Sequence, residues 1–112
     1  MLDDDPLIGE LLSVVLDRAG FEAVTPPDWP TALGIVTQRL VLAAVCDLQL
    51  GDSNGAEVIG SLQHAAPQLR AIVMSGHPAA HVHAELARVG TEAIVLQKPF
   101  RPADLVAAIA AA

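Results

Sequence analysis

From Leu40 to Cys46 the chain reads LVLAAVC, without a charged side chain, and Asp47 ends the run. A strand with one wet face alternates apolar and polar residues. An unbroken apolar run suits a strand buried on both faces, as in a parallel sheet with helices above and below. Arg70 to Met74 (RAIVM) and Ala93 to Leu96 (AIVL) read as two further strands. The rest of the chain must therefore supply helices to both faces of a sheet.

It does. Asp5-Pro6 reads as an N-cap followed by the first helical residue, and Leu7, Ile8, Leu11, Leu12, Val15 and Leu16 recur at helical spacing until Gly20. Phe21 to Val24 is expected as a short strand, closed by Thr25-Pro26-Pro27. Asp28 caps a second helix running to about Gln38, with Pro30 tolerated in its first turn. After the Leu40–Cys46 strand, the loop from Asp47 to Gly55 is rich in Gly, Asp, Ser and Asn. Helices are then expected from about Ala56 to Ala65, Ala79 to Val89 and Arg101 to Ala112. The alternation of helix and strand predicts an α/β sheet with right-handed crossovers. The segment before the first helix should add a fifth strand, yet only Met1 and Leu2 stand there ahead of the aspartates, so that strand is expected to be very short or truncated.

A chain of 112 residues has the size of one domain, so residues 1–112 are expected to form a single domain with no effector domain attached. Six basic residues against thirteen acidic ones, a net charge of −7, disfavour direct binding to nucleic acid. No apolar stretch approaches the ~20 residues of a membrane span. No signal-peptide pattern is present, and Cys46 is the single cysteine. The expected location is cytoplasmic.

In open parallel sheets, ligands bind outside the carboxyl ends of the strands. There the strands are expected to deliver Asp3 and Asp4, Asp47, Ser75 and Lys98. Three carboxylates brought close together repel unless a cation joins them. Mg²⁺ prefers oxygen ligands and takes one or two carboxylates from a protein. A remaining carboxylate oxygen is a nucleophile for a phosphoryl group, and the Ser75 hydroxyl and Lys98 ammonium are suited to phosphoryl oxygens. The constellation predicts an aspartyl-phosphate site. His77, His81 and His83 lie close in sequence but lack a second ligand cluster, so they are not read as a zinc site.

DDDP, the Asp47 loop, VMSG and QKPF, in this order on alternating strand ends, resemble the receiver domain of bacterial two-component response regulators. The resemblance covers essentially the whole chain. It implies a flavodoxin-like, doubly wound parallel five-stranded sheet of order 2-1-3-4-5 with helices on both faces. It implies Asp47 as phosphoacceptor and Ser75 and Lys98 as its catalytic partners. Asp3, Asp4, Asp47 and the main-chain carbonyl of Gln49 would be the Mg²⁺ ligands. The expected phosphoryl donor is a sensor histidine kinase or a histidine phosphotransfer protein, and the output a downstream protein effector or a homodimer. Such a protein is a signalling switch rather than an enzyme. Gln49 and His77 flank the acceptor and are expected to tune phosphoryl hydrolysis. Pro99 falls where the family often has a cis peptide bond.

Four departures from the family pattern stand out. They are the near-absent first strand, Gly51 where proline is usual, Val95 where an aromatic is usual, and one extra residue between Gly90 and Lys98. The alternative reading is a non-phosphorylated, receiver-like interaction or dimerisation module. A flavin- or nucleotide-binding domain is disfavoured, because no Gly-rich phosphate loop follows any strand and the aspartates would repel a phosphate.

Overall fold

The computed structural model describes residues 6–50 and 53–111. Helix α1 spans Pro6–Arg18, and its buried Leu12 and Leu16 lie on one side, while Leu11 and Val14 are exposed. It ends at Gly20, whose φ of 93° lets the Phe21 N–H reach back to the Leu16 carbonyl. Helix α2 (Trp29–Gln38) opens as expected: the Asp28 side chain accepts the Thr31 N–H at 2.8 Å. Trp29 is half-buried against the core.

Strand β1 is Ala43–Asp47, followed by a small antiparallel pair, β2 (Gln49–Leu50) and β3 (Ser53–Asn54), with Gln49 opposite Asn54. Helix α3 (Gly55–Ala65) starts on Asn54, whose side-chain oxygen accepts the N–H of Ala56 at 2.8 Å. Strand β4 (Arg70–Ser75), helix α4 (Ala79–Arg88), strand β5 (Ile94–Gln97) and helix α5 (Pro102–Ala111) complete the described chain. The three longer strands form one parallel sheet, ordered β1-β4-β5, in which Ala43 pairs with Arg70 and Ile72 with Ile94.

The sheet is covered on both faces, as the apolar runs require. Val45, Ile72 and Met74 pack with Leu12 and Leu16 of α1 and Leu105 and Ile109 of α5. Their sequence neighbours Cys46, Ala71 and Val73 pack with Ile59 and Leu62 of α3 and Val82 and Leu86 of α4. Alternate residues of one strand thus serve opposite cores, and burial of each large side chain contributes about 1.5–3 kcal/mol.

The α/β architecture stands, with two local corrections. The β1 run starts at Ala43, not Leu40; Leu40 is 101% exposed. Ladder pairing begins where Arg70 comes alongside, and hydrophobicity alone does not mark that point. Phe21–Val24 forms no strand. In the order 2-1-3-4-5 its only neighbour is the first strand, whose residues, with the Asp5 cap, lie outside the described ones. Between residues 21–26 and β1 there is a mainly apolar cleft of about 270 Å³, lined by Phe21, Ala23, Leu42, Ala44 and Ile109 among others.

Candidate functional site at the carboxyl edge of the sheet

Because β1, β4 and β5 are parallel and in register, their C-terminal residues share one edge. Asp47 ends β1, Ser75 ends β4, and Gln97 ends β5 immediately before Lys98. Backbone bonds extend the ladder past the strands: Leu48 N–H donates to the Met74 carbonyl at 2.9 Å, and Lys98 N–H to the Ser75 carbonyl at 2.7 Å. The second bond fixes the root of the Lys98 side chain beside β4. From there Lys98 Nζ reaches Asp47 Oδ2 at 2.6 Å, while the Asp47 side chain is only 12% exposed. A charge-assisted bond this short, with the carboxylate shielded and the Lys98 side chain 38% exposed, holds carboxylate and ammonium in a defined mutual position. The Lys98–Pro99 peptide is cis, the form expected at Pro99 from the resemblance.

Asp47 is also held from behind. Gly55 N–H donates to the Leu48 carbonyl at 2.6 Å, drawing the start of α3 against the end of β1. A Cβ at Gly55 would lie 2.2 Å from the Asp47 carbonyl oxygen and 2.7 Å from Leu48 Cα, so only glycine fits. Asn54-Gly55 is therefore a cap and a close approach in two consecutive residues.

Ser75 is 2% exposed, and its Oγ accepts the His77 N–H at 2.9 Å. Its own hydroxyl proton is not used in that bond. The structure thus brings Asp47, Ser75 and Lys98 to one edge, with His77 on the adjoining loop. Gln49 lies in β2, two residues beyond Asp47. Asp3 and Asp4 lie outside the described residues. Gln97 was not singled out from the sequence, yet its Nε2 donates to the His77 carbonyl at 2.9 Å. No sequence signal marks that contact, since it joins residues 20 apart across two strand ends.

Among the described residues, no three His, Cys, Asp or Glu side chains are grouped so as to hold a metal ion. The donors expected for a cation here are the Asp47 carboxylate, those of Asp3 and Asp4, and the Gln49 carbonyl. They are all hard oxygen, a set that fits Mg²⁺ and does not fit zinc.

The family model described as the response regulator receiver domain matches residues 1–110. The chain belongs to this family. Among curated relatives, this receiver is 31% identical over 109 residues to the two-component response regulator PprB of Pseudomonas aeruginosa, covering 94% of the chain and 39% of that protein. The chain therefore spans well under half of that relative's length. Its fold is similar to a CheY-like receiver domain from Methanospirillum hungatei, with a TM-score of 0.85 at 23% identity, covering 98% of this chain and 87% of the other. It is also similar to a Burkholderia pseudomallei response regulator solved with a phosphorylated aspartic acid and a calcium ion. There the TM-score is 0.82 at 22% identity, with 96% and 63% of the two chains covered. The receiver is a signalling domain, and among its described residues no helix is long and apolar enough to cross a membrane.

Proposed function

We propose that this receiver accepts a phosphoryl group on Asp47 and thereby switches contacts with other proteins. The observation that carries the reading is the Lys98–Asp47 pair at the carboxyl edge, with the Ser75 hydroxyl on the same edge. In the reaction, an Asp47 carboxylate oxygen attacks phosphorus and the phosphorus–nitrogen bond to a donor imidazole breaks. The imidazole leaves with the bonding electrons and takes up a proton. Lys98, already placed beside the carboxylate, offsets charge on the phosphoryl oxygens, and Ser75 donates its hydroxyl proton to one of them. Asp3, Asp4, Asp47 and the Gln49 carbonyl are the residues that would hold Mg²⁺, which when bound neutralises phosphoryl charge. Gln49 and His77 border the phosphoryl position and set the access of the hydrolytic water.

The donor chemistry fits a sensor histidine kinase or a histidine phosphotransfer protein in the cytoplasm. Output passes to a downstream protein effector or to a second copy of the chain. A net charge of −7 speaks against direct contact with nucleic acid. The test is incubation with acetyl phosphate and Mg²⁺, read by intact mass. Wild type should gain one phosphoryl group, while Asp47→Asn, or wild type in excess chelator, should gain none. An unmodified wild-type mass would instead favour a receiver-like interaction module that works without phosphorylation.

A further inference from the structure

His77 and His81 stand four residues apart where the β4–α4 loop enters α4, and both are exposed. Their imidazole centroids are 5.0 Å apart, with the planes tilted by 47°. The backbone beneath each ring is held. The His77 N–H donates to Ser75 Oγ and its carbonyl accepts Gln97 Nε2, both at 2.9 Å, while the His81 N–H donates to the Pro78 carbonyl at 3.0 Å. Two imidazoles are thus placed side by side on a fixed frame and left open to water.

We infer that His77 and His81 form a two-imidazole site for a divalent transition metal, with Cu²⁺ the ion held most tightly. A neutral imidazole offers one ring nitrogen as a ligand. At a metal–nitrogen distance of about 2.0–2.1 Å, each ring centre lies about 3.2 Å from the ion. Two imidazoles joined at between a right angle and a tetrahedral angle then have centroids about 4.5–5.2 Å apart. The observed 5.0 Å falls in that interval. Rotation about χ2 is broad in histidine and moves no backbone, so a nitrogen of each ring can turn to a common ion. Glu85 follows one turn further along α4, but its carboxylate is engaged by Arg88 at 3.0 Å. The protein therefore supplies two nitrogen ligands and water the remainder, a set that suits Cu²⁺ above Ni²⁺ and Zn²⁺. Mg²⁺, which prefers hard oxygen ligands, is not held by two imidazoles. His83 lies two residues beyond His81, on another side of the helix, and takes no part. Binding at the histidine pair does not depend on phosphorylation of Asp47.

The experiment titrates the untagged full chain with CuCl₂ at neutral pH, in a non-coordinating buffer containing excess Mg²⁺. The proteins are wild type, His77→Ala, His81→Ala and His83→Ala, each checked for native helix content by circular dichroism. Calorimetry measures the affinity, electron paramagnetic resonance counts the nitrogens on the ion, and sedimentation velocity follows the oligomeric state. Wild type should bind Cu²⁺ through two imidazole nitrogens without a change of oligomeric state. Loss of either His77 or His81 should weaken binding by about 100-fold, the scale on which a second linked ligand raises affinity. His83→Ala should bind as wild type does. Equal affinity in all four proteins would overturn the site, as would a spectrum with a single nitrogen or a His83→Ala variant as impaired as His81→Ala. Dimers formed by the ion would overturn it too, since the two imidazoles would then come from different chains.

Discussion

Lys98 Nζ lies 2.6 Å from Asp47 Oδ2, although 51 residues separate the two in sequence. The contact depends on two strands, β1 and β5, that do not pair with each other and lie on either side of β4. Its geometry is therefore a property of the whole sheet.

Removing the ammonium should leave the fold intact and impair the chemistry. Lys98→Met is expected to slow phosphorylation by acetyl phosphate by about 100-fold, the scale seen when one preorganised donor to a developing charge is lost. Intact-mass time courses at fixed Mg²⁺ measure it, with circular dichroism confirming the native helix content. A variant as fast as wild type would remove Lys98 from the site.

Two glycines should respond in opposite directions. Gly55→Ala places a methyl group 2.2 Å from the Asp47 carbonyl oxygen, against backbone that cannot turn aside. It should destabilise the domain by about 2 kcal/mol or more and displace the acceptor. Gly34, inside α2, has nothing within 4 Å of a Cβ. Gly34→Ala should stabilise by about 0.5–1 kcal/mol through helix propensity. Urea melts followed by Trp29 fluorescence compare the two.

Leu40 and Ile72 are both apolar residues beside or within a strand, yet they differ completely in burial, at 101% and 0% exposed. Ile72→Ala should cost about 2–5 kcal/mol, from lost burial and the cavity left behind. Leu40→Ser should stay within about 0.5 kcal/mol of wild type. The same urea melts decide, and a large loss from Leu40→Ser would contradict its exposed position.

The Asp28 cap should leave a pH signature. Hydrogen bonding with Thr31, through its side chain and its backbone N–H, holds the Asp28 carboxyl below the ordinary aspartate value. A lowered folded-state pKa means that this contribution is present above the unfolded value and is lost as pH falls through the folded one. The carboxyl should therefore titrate by NMR below free aspartate. Asp28→Asn should keep α2 capped while removing that acid-side dependence.

Legibility in the sequence tracked how local the cause was. Asp28 as a cap, Gly20 as a helix stop with φ of 93°, and the apolar runs of β1 and β4 all act within a few residues. Asp47, Ser75 and Lys98 were legible because a parallel sheet brings strand ends to one edge. The β2–β3 pair was missed because two-residue strands are too short to carry a periodicity. The Phe21–Val24 segment misled because four residues, three of them apolar, do not by themselves make a ladder. Gln97 was invisible because its partner is a backbone carbonyl on another element.

What the sequence by itself determined is the class of sheet and the set of chemical groups at its edge. Continuous apolar runs have nowhere to go but between two layers of helices, and each ends in a residue of defined chemistry. Only the tertiary structure decided the rest. Register put Lys98 on Asp47, close approach demanded glycine at position 55, and the packing of strand ends set the backbone of His77 between Ser75 and Gln97. These are distances between residues far apart in the chain, and packing sets them.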